Sequence, residues 1–343
     1  MVKVGVIGAG FMGGMHTQCY RQLPNAKLVA IADSDLKKAG ELANKYGAKT
    51  YGSAEDLFAD KEINVVDICL PTYMHKEYVI KAAQAKKHIL CEKPIALTLK
   101  DADEMIAICS KAGVKFMIAQ VLRFWPEYMK LKEIVDSGTL GRLLSMTCRR
   151  LSPAPVWAWD NWMMNAARSG GALVDMHIHD VDFLYYLLGR PISLYTVGNE
   201  FHVWTNFNFK GNVVGFAEAS WDVAAKFPFT ATFTAIFERG TVEFDCRQEK
   251  SLVIYTSDKA EYPKIEVMAS EDAGGNIATL GGYFEEIKYF VNCVDANQEP
   301  NIVTPEDARN SLEVVLLEME SAKTGKIINI FKKGEVKKNG KED

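Results

Sequence analysis

The sequence predicts two domains: an α/β domain built on a parallel sheet, then an α+β domain whose open sheet is largely antiparallel. Up to about residue 120, short β-branched runs alternate with stretches of helical spacing, which is typical of a parallel sheet covered by helices. Later β-rich runs follow one another without intervening helices, which indicates antiparallel strands. The chain of 343 residues is long enough for two such domains.

The first domain is predicted to span residues 1–122 and to alternate strands with helices. Its strands are predicted at Val2–Ile7, Lys27–Ala32, Val65–Leu70, His88–Cys91 and Lys115–Ile118. Its helices are predicted at Met12–Leu23, Asp35–Tyr46, Tyr73–Ala85 and Leu99–Ala112.

The second domain is predicted to span residues 123–331 and to end in a charged, disordered tail at residues 332–343. Its strands are predicted at Leu143–Arg150, Asn206–Phe209, Val213–Trp221, Thr230–Phe237 and Gly240–Asp245, with a tight turn at Glu238–Gly240. Its helices are predicted at Pro126–Ser137, from Ser169 to about Leu188, at Tyr283–Ala296 and at Pro305–Lys323.

Composition and charge exclude several classes of protein. With 40 basic and 44 acidic residues, the net charge of −4 produces no field that would attract nucleic acid or an acidic membrane. No apolar run approaches the roughly 20 residues that span a bilayer, and no signal peptide precedes the first predicted strand. Seven cysteines without a C-x-x-C pair indicate a reducing compartment, the cytoplasm, and no structural metal.

A glycine motif lies between the first predicted strand and the first helix. Gly8, Gly10 and Gly13, together with Phe11 and Met12, form G-A-G-F-M-G. In a Rossmann domain the first glycine permits a tight turn, the second lets the backbone approach a pyrophosphate, and the third lets strand and helix pack closely. The helix N-terminus then faces the anion, so the motif predicts a dinucleotide site.

Asp33 ends the second predicted strand, where an acidic side chain can bind a ribose 2′-hydroxyl. Ser34 beside it is a further candidate cofactor contact. Asp33 could instead cap the following helix, although Ser34 or Asp35 could also do so. Because a carboxylate repels a 2′-phosphate, the cofactor is expected to be NAD; Lys37 and Lys38 leave NADP open.

Glu92-Lys93-Pro94 follows the strand His88–Cys91, at the sheet edge where α/β proteins bind ligands. Oxidising an alcohol removes a proton as well as a hydride, and a lysine can act as the base when burial and a nearby positive charge lower the pKa of an ammonium. Lys93 is therefore a candidate catalytic residue. The alternative is a surface salt bridge with Glu92.

A second candidate group lies in the helical segment that begins at Ser169. Asp175 and His179 are four residues apart, which on one helix places both on the same face, where a carboxylate can orient an imidazole. Two polar residues on a solvent-facing helix would show the same spacing. His177 lies on another side and is either a substrate contact or a core histidine. A metal site made with His179 is disfavoured, because histidines two residues apart diverge on a helix.

With these three motifs in this order, the chain resembles the glucose–fructose oxidoreductase, inositol dehydrogenase and rhizopine catabolism family (Gfo/Idh/MocA), over nearly all of its length to about residue 330. The resemblance implies Lys93, Asp175 and His179 as a catalytic group. It also implies subunit contacts through the exposed face of the antiparallel sheet, so a homo-oligomer, dimer or tetramer, is expected. His177 departs from the small residue of many relatives.

The resemblance also implies further contacts. Pro71, Thr72 and His75 correspond to the loop that lines the cofactor near its nicotinamide half, although His75 could simply begin a helix. Arg123 corresponds to a position at the mouth of the cleft; its alternative is a salt bridge that links the domains.

An aromatic loop precedes the second candidate group. Trp159 and Trp162 could stack on sugar rings while Asp160 holds hydroxyls, or the tryptophans could bury a dimer interface. The expected function is an NAD(P)-dependent sugar or polyol dehydrogenase. The alternatives are an NAD-dependent glycosidase that uses transient oxidation and elimination, and a non-catalytic dinucleotide sensor.

Overall fold

The computed structural model describes residues 1–265 and 280–330, which form two compact units. The first unit contains residues 1–128 and 280–312, and the second contains residues 129–265 and 313–330. The tail predicted to be disordered, residues 332–343, lies outside the described residues. No helix in the described part of the chain is long and apolar enough to cross a membrane.

A six-stranded parallel sheet forms the centre of the first unit, in the order β3-β2-β1-β4-β5-β6. Its strands are β1 Val2–Ile7, β2 Ala26–Ala32, β3 Lys49–Tyr51, β4 Val65–Ile68, β5 His88–Glu92 and β6 Phe116–Ala119. The strand order reverses between β1 and β4, and in such sheets the carboxyl ends of the strands at this point form a ligand crevice. The predicted Rossmann fold is confirmed.

Helices connect these strands. They are α1 Phe11–Gln22, α2 Leu36–Tyr46, α3 Ala54–Ala59, α4 His75–Gln84 and α5 Leu99–Ala112. A further helix, α6 Pro126–Ser137, follows β6 and lies mostly in the second unit. The sequence pattern missed β3 and α3, because a strand of three residues and a helix of six are too short to show a period.

A nine-stranded sheet forms the second unit, in the order β14-β13-β12-β11-β7-β10-β9-β8-β15. Its strands are β7 Leu143–Pro153, β8 Ser193–Gly198, β9 His202–Phe209, β10 Val213–Val223, β11 Thr230–Phe237, β12 Gly240–Asp245, β13 Leu252–Tyr255, β14 Ala260–Glu261 and β15 Ile328–Asn329. β7 and β10 pair in parallel and the other neighbours pair antiparallel. The largely antiparallel sheet is confirmed.

The helix predicted from Ser169 to Leu188 is divided into three pieces: α7 Ala166–Ser169, α8 Gly171–Asp175 and α9 Ile178–Leu188. The first break is at Gly170 and Gly171, which both have positive φ angles that favour glycine. At the second break the N–H of His177 bonds the carbonyl of Ala172, five residues earlier. This π-type step is a local expansion of the helix.

The last two helices are α10 Gly281–Asp295 and α11 Pro305–Thr324. Their assignment to the two units differs from the predicted domain boundaries. The sequence pattern grouped both with the second domain, but α10 belongs to the first unit, where Ile287, Phe290 and Val291 are fully buried in its core. Their partners include Val4 and Met15, which are far away in the chain. Helical periodicity shows that a helix has an apolar face and does not show which domain covers it.

Candidate active site

The glycine turn follows β1 and is closed by backbone packing. Gly8 has a φ of 102°, and a Cβ atom there would lie 2.4 Å from the carbonyl oxygen of Cys69. A Cβ atom on Gly13 would lie 1.8 Å from the carbonyl oxygen of Gly8. Both positions therefore require glycine, as the motif predicted. At Gly10 no atom lies within 4 Å of a Cβ position, so that side of the turn is open.

The N-terminus of α1 suits an anion. Gly10 provides no side-chain cap, and the first turn of the helix, from Phe11 through Met12, contains no acidic residue. The positive end of the helix dipole and its first N–H groups thus meet the open side of the glycine turn. These features fit the pyrophosphate of a dinucleotide.

Asp33 links the end of β2 to the glycine turn. Its carboxylate accepts the N–H of Ala9 at 2.7 Å and the N–H of Asp35 at 2.8 Å, and the Ser34 hydroxyl lies 3.4 Å away. Asp35 caps α2 by accepting the N–H groups of Lys37 and Lys38. The capping role considered for Asp33 is thus filled by its neighbour, and the ribose contacts of Asp33 and Ser34 stay predictions.

Glu92 lies at the end of β5 and is only 6 % exposed. One carboxylate oxygen accepts the backbone N–H of Lys93 at 3.1 Å, and the other forms an ion pair with His16 Nε2 at 3.1 Å. A surface salt bridge between Glu92 and Lys93 is therefore excluded by the burial of Glu92. The Lys93–Pro94 peptide bond is cis.

The sequence analysis missed the buried group beneath Glu92. His16 Nδ1 lies 2.8 Å from the carboxylate of Asp67 in β4, and the Tyr20 hydroxyl donates to the same oxygen at 2.9 Å. Burial by itself lowers the pKa of His16, but the charge of Asp67 and its hydrogen bond to the imidazole outweigh burial and hold the pKa well above its usual value. The detectable signal was an aspartate inside an apolar strand, Val65–Ile68.

His16, Asp67 and Cys69 also form a set of possible metal ligands, whose ligand atoms lie within 4.8 Å of one another. The direct bond between the imidazole and the carboxylate already accounts for the proximity of His16 and Asp67. The expectation of no metal stays a prediction.

His75 braces two loops at the same end of the sheet. Its ring nitrogens lie 2.9 Å from the carbonyl oxygen of Pro94 and 2.8 Å from that of Leu70, so it ties the loop after β5 to the loop after β4. Burial lowers the pKa of His75. Thr72 is buried and Pro71 partly exposed in the 3₁₀ turn just before it. The cofactor contacts of these three residues stay predictions.

Arg123 is buried inside the first unit. Its Nη1 atom donates to the carbonyl of Ile302 at 2.6 Å and to the carboxylate of Asp307 at 3.2 Å. Both partners belong to the first unit, so this is a structural ion pair and not the salt bridge between domains that was considered. Because the side chain is 2 % exposed, the structure does not support the predicted substrate contact.

In the second unit, Asp175 ends α8 and His179 lies in the first turn of α9. Asp175 is buried and His179 is partly exposed. The prediction that both lie on one regular helix is wrong, because the π-type step between α8 and α9 changes their relative rotation. Lys93 lies in the first unit, so its grouping with these two residues stays a prediction.

His177 is a core histidine. It has no exposed surface, and its Nε2 lies 2.8 Å from the carboxylate of Glu318 on α11, which is also fully buried. Burial by itself lowers the pKa of His177, but Glu318 outweighs it and raises the pKa. The burial of His177 and its pairing with Glu318 favour the core role over the predicted substrate contact, which stays a prediction.

A second buried pair anchors α9 to the sheet. Arg150 on β7 contacts Asp180 through Nε at 2.8 Å and Nη2 at 2.9 Å. Asp180 immediately follows His179, so this two-pronged ion pair fixes the turn from which the candidate imidazole projects.

The aromatic loop combines exposure with an unusual backbone. Trp159 is 60 % exposed, while Trp162 is partly buried. Asp160 and Asn161 both have positive φ angles, 49° and 47°, which are costly for residues other than glycine. The carboxylate of Asp160 forms an ion pair with Arg168 Nη1 at 2.7 Å. The substrate contacts predicted for Trp159, Asp160 and Trp162 stay predictions.

Comparisons with known proteins agree with this geometry. Residues 2–120 match the model of an oxidoreductase family with an NAD-binding Rossmann fold, and residues 128–243 match the GFO/IDH/MocA C-terminal domain. Myo-inositol 2-dehydrogenase of Thermotoga maritima is 36 % identical over 56 % of this chain and 56 % of its own length. D-glucoside 3-dehydrogenase of Escherichia coli is 33 % identical over 55 % of each chain.

These matches span about half the length of the curated relatives. Among solved structures, levoglucosan dehydrogenase in complex with NADH and levoglucosan superposes with a TM-score of 0.83 at 22 % identity, over 96 % of this chain and 100 % of that chain. At this identity the likeness shows a shared fold.

Replacing Gly13 with alanine tests the glycine turn. Its Cβ would overlap the carbonyl oxygen of Gly8, so Gly13→Ala is expected to weaken NADH binding at least about tenfold, since the N–H groups at the helix N-terminus would move from the anion. Gly14→Ala is the matched control, because no atom lies within 4 Å of that Cβ. Fluorescence titration measures both. Equal affinities for the two variants would contradict the assignment.

The buried pair of His177 and Glu318 predicts a pH-dependent stability. Because the pKa of His177 is raised in the folded state, its stabilising effect is complete below the unfolded pKa of about 6.5 and is lost as the pH rises through the folded pKa. Glu318→Gln is therefore expected to lower the free energy of unfolding by about 3–5 kcal/mol at pH 6 and by less at pH 9.

Urea denaturation at the two pH values measures this change. Glu320→Gln, on the exposed side of the same helix, is the control and is expected to change stability little at either pH. A loss for Glu318→Gln that does not depend on pH would show that His177 is uncharged.

Proposed function

Since the chain belongs to the Gfo/Idh/MocA oxidoreductase family, we propose that it is an NAD(P)-dependent dehydrogenase that acts on a hydroxyl-bearing carbon of a sugar or polyol. The observation that carries the proposal is the arrangement at one end of the parallel sheet. There an open glycine turn and an uncapped helix N-terminus lie on the unit whose β5 leads into Lys93. The named relatives act on inositol and glucosides.

The nucleotide is held by the residues of the turn. The N–H groups at the start of α1 bind the pyrophosphate, and Asp33 and Ser34 bind the adenosine ribose. Asp33 favours NAD over NADP, because its carboxylate would repel a 2′-phosphate. A bound nicotinamide supplies the hydride acceptor or donor.

The proton is handled by residues of this chain. In the direction of oxidation, Lys93 Nζ or His179 accepts the proton of the substrate hydroxyl. The family resemblance adds Asp175 to this group as the carboxylate that orients the imidazole. The ion pair between Arg150 and Asp180 holds the first turn of α9, which limits the rotation of His179. We propose that the exposed ring of Trp159 contributes to the sugar site by stacking.

We also propose that the protein is a cytoplasmic homo-oligomer. The seven free thiols suit a reducing compartment. On one face of the second sheet, cross-strand pairing puts exposed apolar side chains of β8, β9, β10 and β11 on the same side, with Ser145 and Thr147 of β7 between β10 and β11. The apolar side chains are Tyr195, Val197, Trp204, Phe216 and Ile236. An apolar face of this kind is suited to a second copy of the sheet.

Lys93→Ala tests the catalytic assignment. Removing the ammonium is expected to lower kcat by about 10²–10⁴-fold in a panel of inositols, aldoses and glycosides, while NADH binding changes little. Lys100→Ala, an exposed lysine at the start of α5, serves as the control and is expected to keep wild-type turnover. Unchanged turnover in Lys93→Ala would remove the role of Lys93.

The same panel separates the alternative functions. Glycoside cleavage without added NAD would favour the glycosidase. NADH binding with no turnover of any sugar or polyol would favour the sensor.

Phe216→Asp tests the proposed interface. A charge in the middle of the apolar face is expected to shift the protein towards monomer in sedimentation velocity, because a buried unpaired carboxylate is costly. The control is Leu36→Asp, an exposed apolar residue on α2 in the first unit, which is expected to leave the assembly unchanged. If Phe216→Asp keeps the same oligomeric state as the wild type, the proposed interface is refuted.

A further inference from the structure

A row of buried polar side chains connects the centre of the first sheet to the backbone of Lys93. It begins at Asp67 in β4, continues through His16 on α1, and reaches Glu92 at the end of β5. Asp67 and His16 have no exposed surface, and Glu92 has almost none. The row ends where the second carboxylate oxygen of Glu92 accepts the N–H of Lys93.

The charged imidazole of His16 compensates the two buried carboxylates in this row, Asp67 and Glu92. Two carboxylates in a protein core are expensive unless a cation or several donors balance them. The imidazole of His16 lies between them, with Nδ1 at 2.8 Å from Asp67 and Nε2 at 3.1 Å from Glu92. Asp67 has a second donor in the Tyr20 hydroxyl at 2.9 Å. Loss of the imidazole would therefore disturb Glu92 while leaving Asp67 with a hydrogen bond.

His16 also connects two parts of the candidate active site, α1 and the end of β5. His16 lies on α1 three residues after Gly13, on the helix whose N-terminus faces the anion site. The contact between His16 and Glu92 thus joins the helix that carries the nucleotide site to the strand end that carries Lys93. A residue that contacts both elements can fix the position of the strand end with Lys93 relative to the helix with the nucleotide site.

We propose that His16 is a positioning residue for Lys93: by holding the carboxylate of Glu92, it fixes the backbone from which the lysine side chain reaches the substrate. The inference rests on the proposed catalytic role of Lys93. It extends that role to a histidine that has no exposed surface and acts through Glu92.

Two amide variants of His16 separate its two contacts. The side-chain nitrogen of asparagine lies close to the position of Nδ1 and can still serve Asp67, whereas that of glutamine lies close to Nε2 and can still serve Glu92. His16→Asn is expected to lower kcat about 10- to 100-fold, the scale for a small misplacement of a catalytic group, with the KM for NAD changed less than about threefold. His16→Gln is expected to recover most of this loss.

Tyr20→Phe is the matched control within the same cluster. It removes the hydrogen bond to Asp67 without touching Glu92, so the melting temperature is expected to fall while kcat stays within about twofold of wild type. If His16 were only structural, kcat would follow thermal stability across all three variants, and equal kcat values for His16→Asn and His16→Gln would overturn the proposal.

A double-mutant cycle tests the route through Glu92. Glu92→Gln removes the charge that faces His16, while its amide oxygen can still accept the N–H of Lys93. If His16 acts through Glu92, adding His16→Asn to Glu92→Gln lowers kcat little further, whereas multiplying losses would show independent effects and refute the route. Should His16→Asn not fold, Glu92→Gln by itself tests the route: the proposal expects kcat to fall while the KM for NAD changes little, and an unchanged kcat would refute it.

Lys93→Ala measured alongside separates this inference from the proposed function. Turnover that survives Lys93→Ala means that the catalytic assignment itself is wrong. Turnover that is lost in Lys93→Ala but retained in His16→Asn leaves the function standing and removes only the positioning role.

Discussion

The close approach of Gly13 to the carbonyl oxygen of Gly8 is the constraint on which the nucleotide end of the first unit depends. Only a residue without Cβ lets α1 start this near to β1, and only this placement leaves the helix N-terminus open beside Gly10. Asp33 then reaches back to the N–H of Ala9 and holds the turn from the side of β2. One packing requirement thus supports the anion site and orients the residue proposed to bind the ribose.

Buried ion pairs place the candidate catalytic residues in both units. In the first, His16 lies between Asp67 and Glu92 next to Lys93. In the second, Arg150 pairs with Asp180 next to His179, and His177 pairs with Glu318 two residues before it. Such pairs are weak sources of net stability because both partners lose hydration. They do, however, hold a backbone in one position, which is what a neighbouring acid or base requires.

The helix break between α8 and α9 lies between two candidate catalytic residues, Asp175 and His179. A regular helix would place Asp175 and His179 one turn apart. Instead α8 ends at Asp175 and α9 begins at Ile178, with the π-type bond from His177 to Ala172 at the break, and the His177 side chain lies in the core against Glu318. The step therefore separates a structural histidine from a partly exposed one only two residues away.

The two fold classes, the glycine turn and most element boundaries can be predicted from the sequence, because they depend on local periodicity and on residues with special backbone freedom. The sequence also indicated Lys93, Asp175 and His179 as candidate catalytic residues, but it did not indicate the buried ion pairs beside them. Three features become visible only in the folded chain: α10 completes the first unit, Arg123 and His177 are buried in ion pairs with Asp307 and Glu318, and His16 contacts Glu92. Each of these depends on contacts between distant parts of the chain, and a pattern of neighbouring residues carries no information about which distant side chain will neutralise a buried charge.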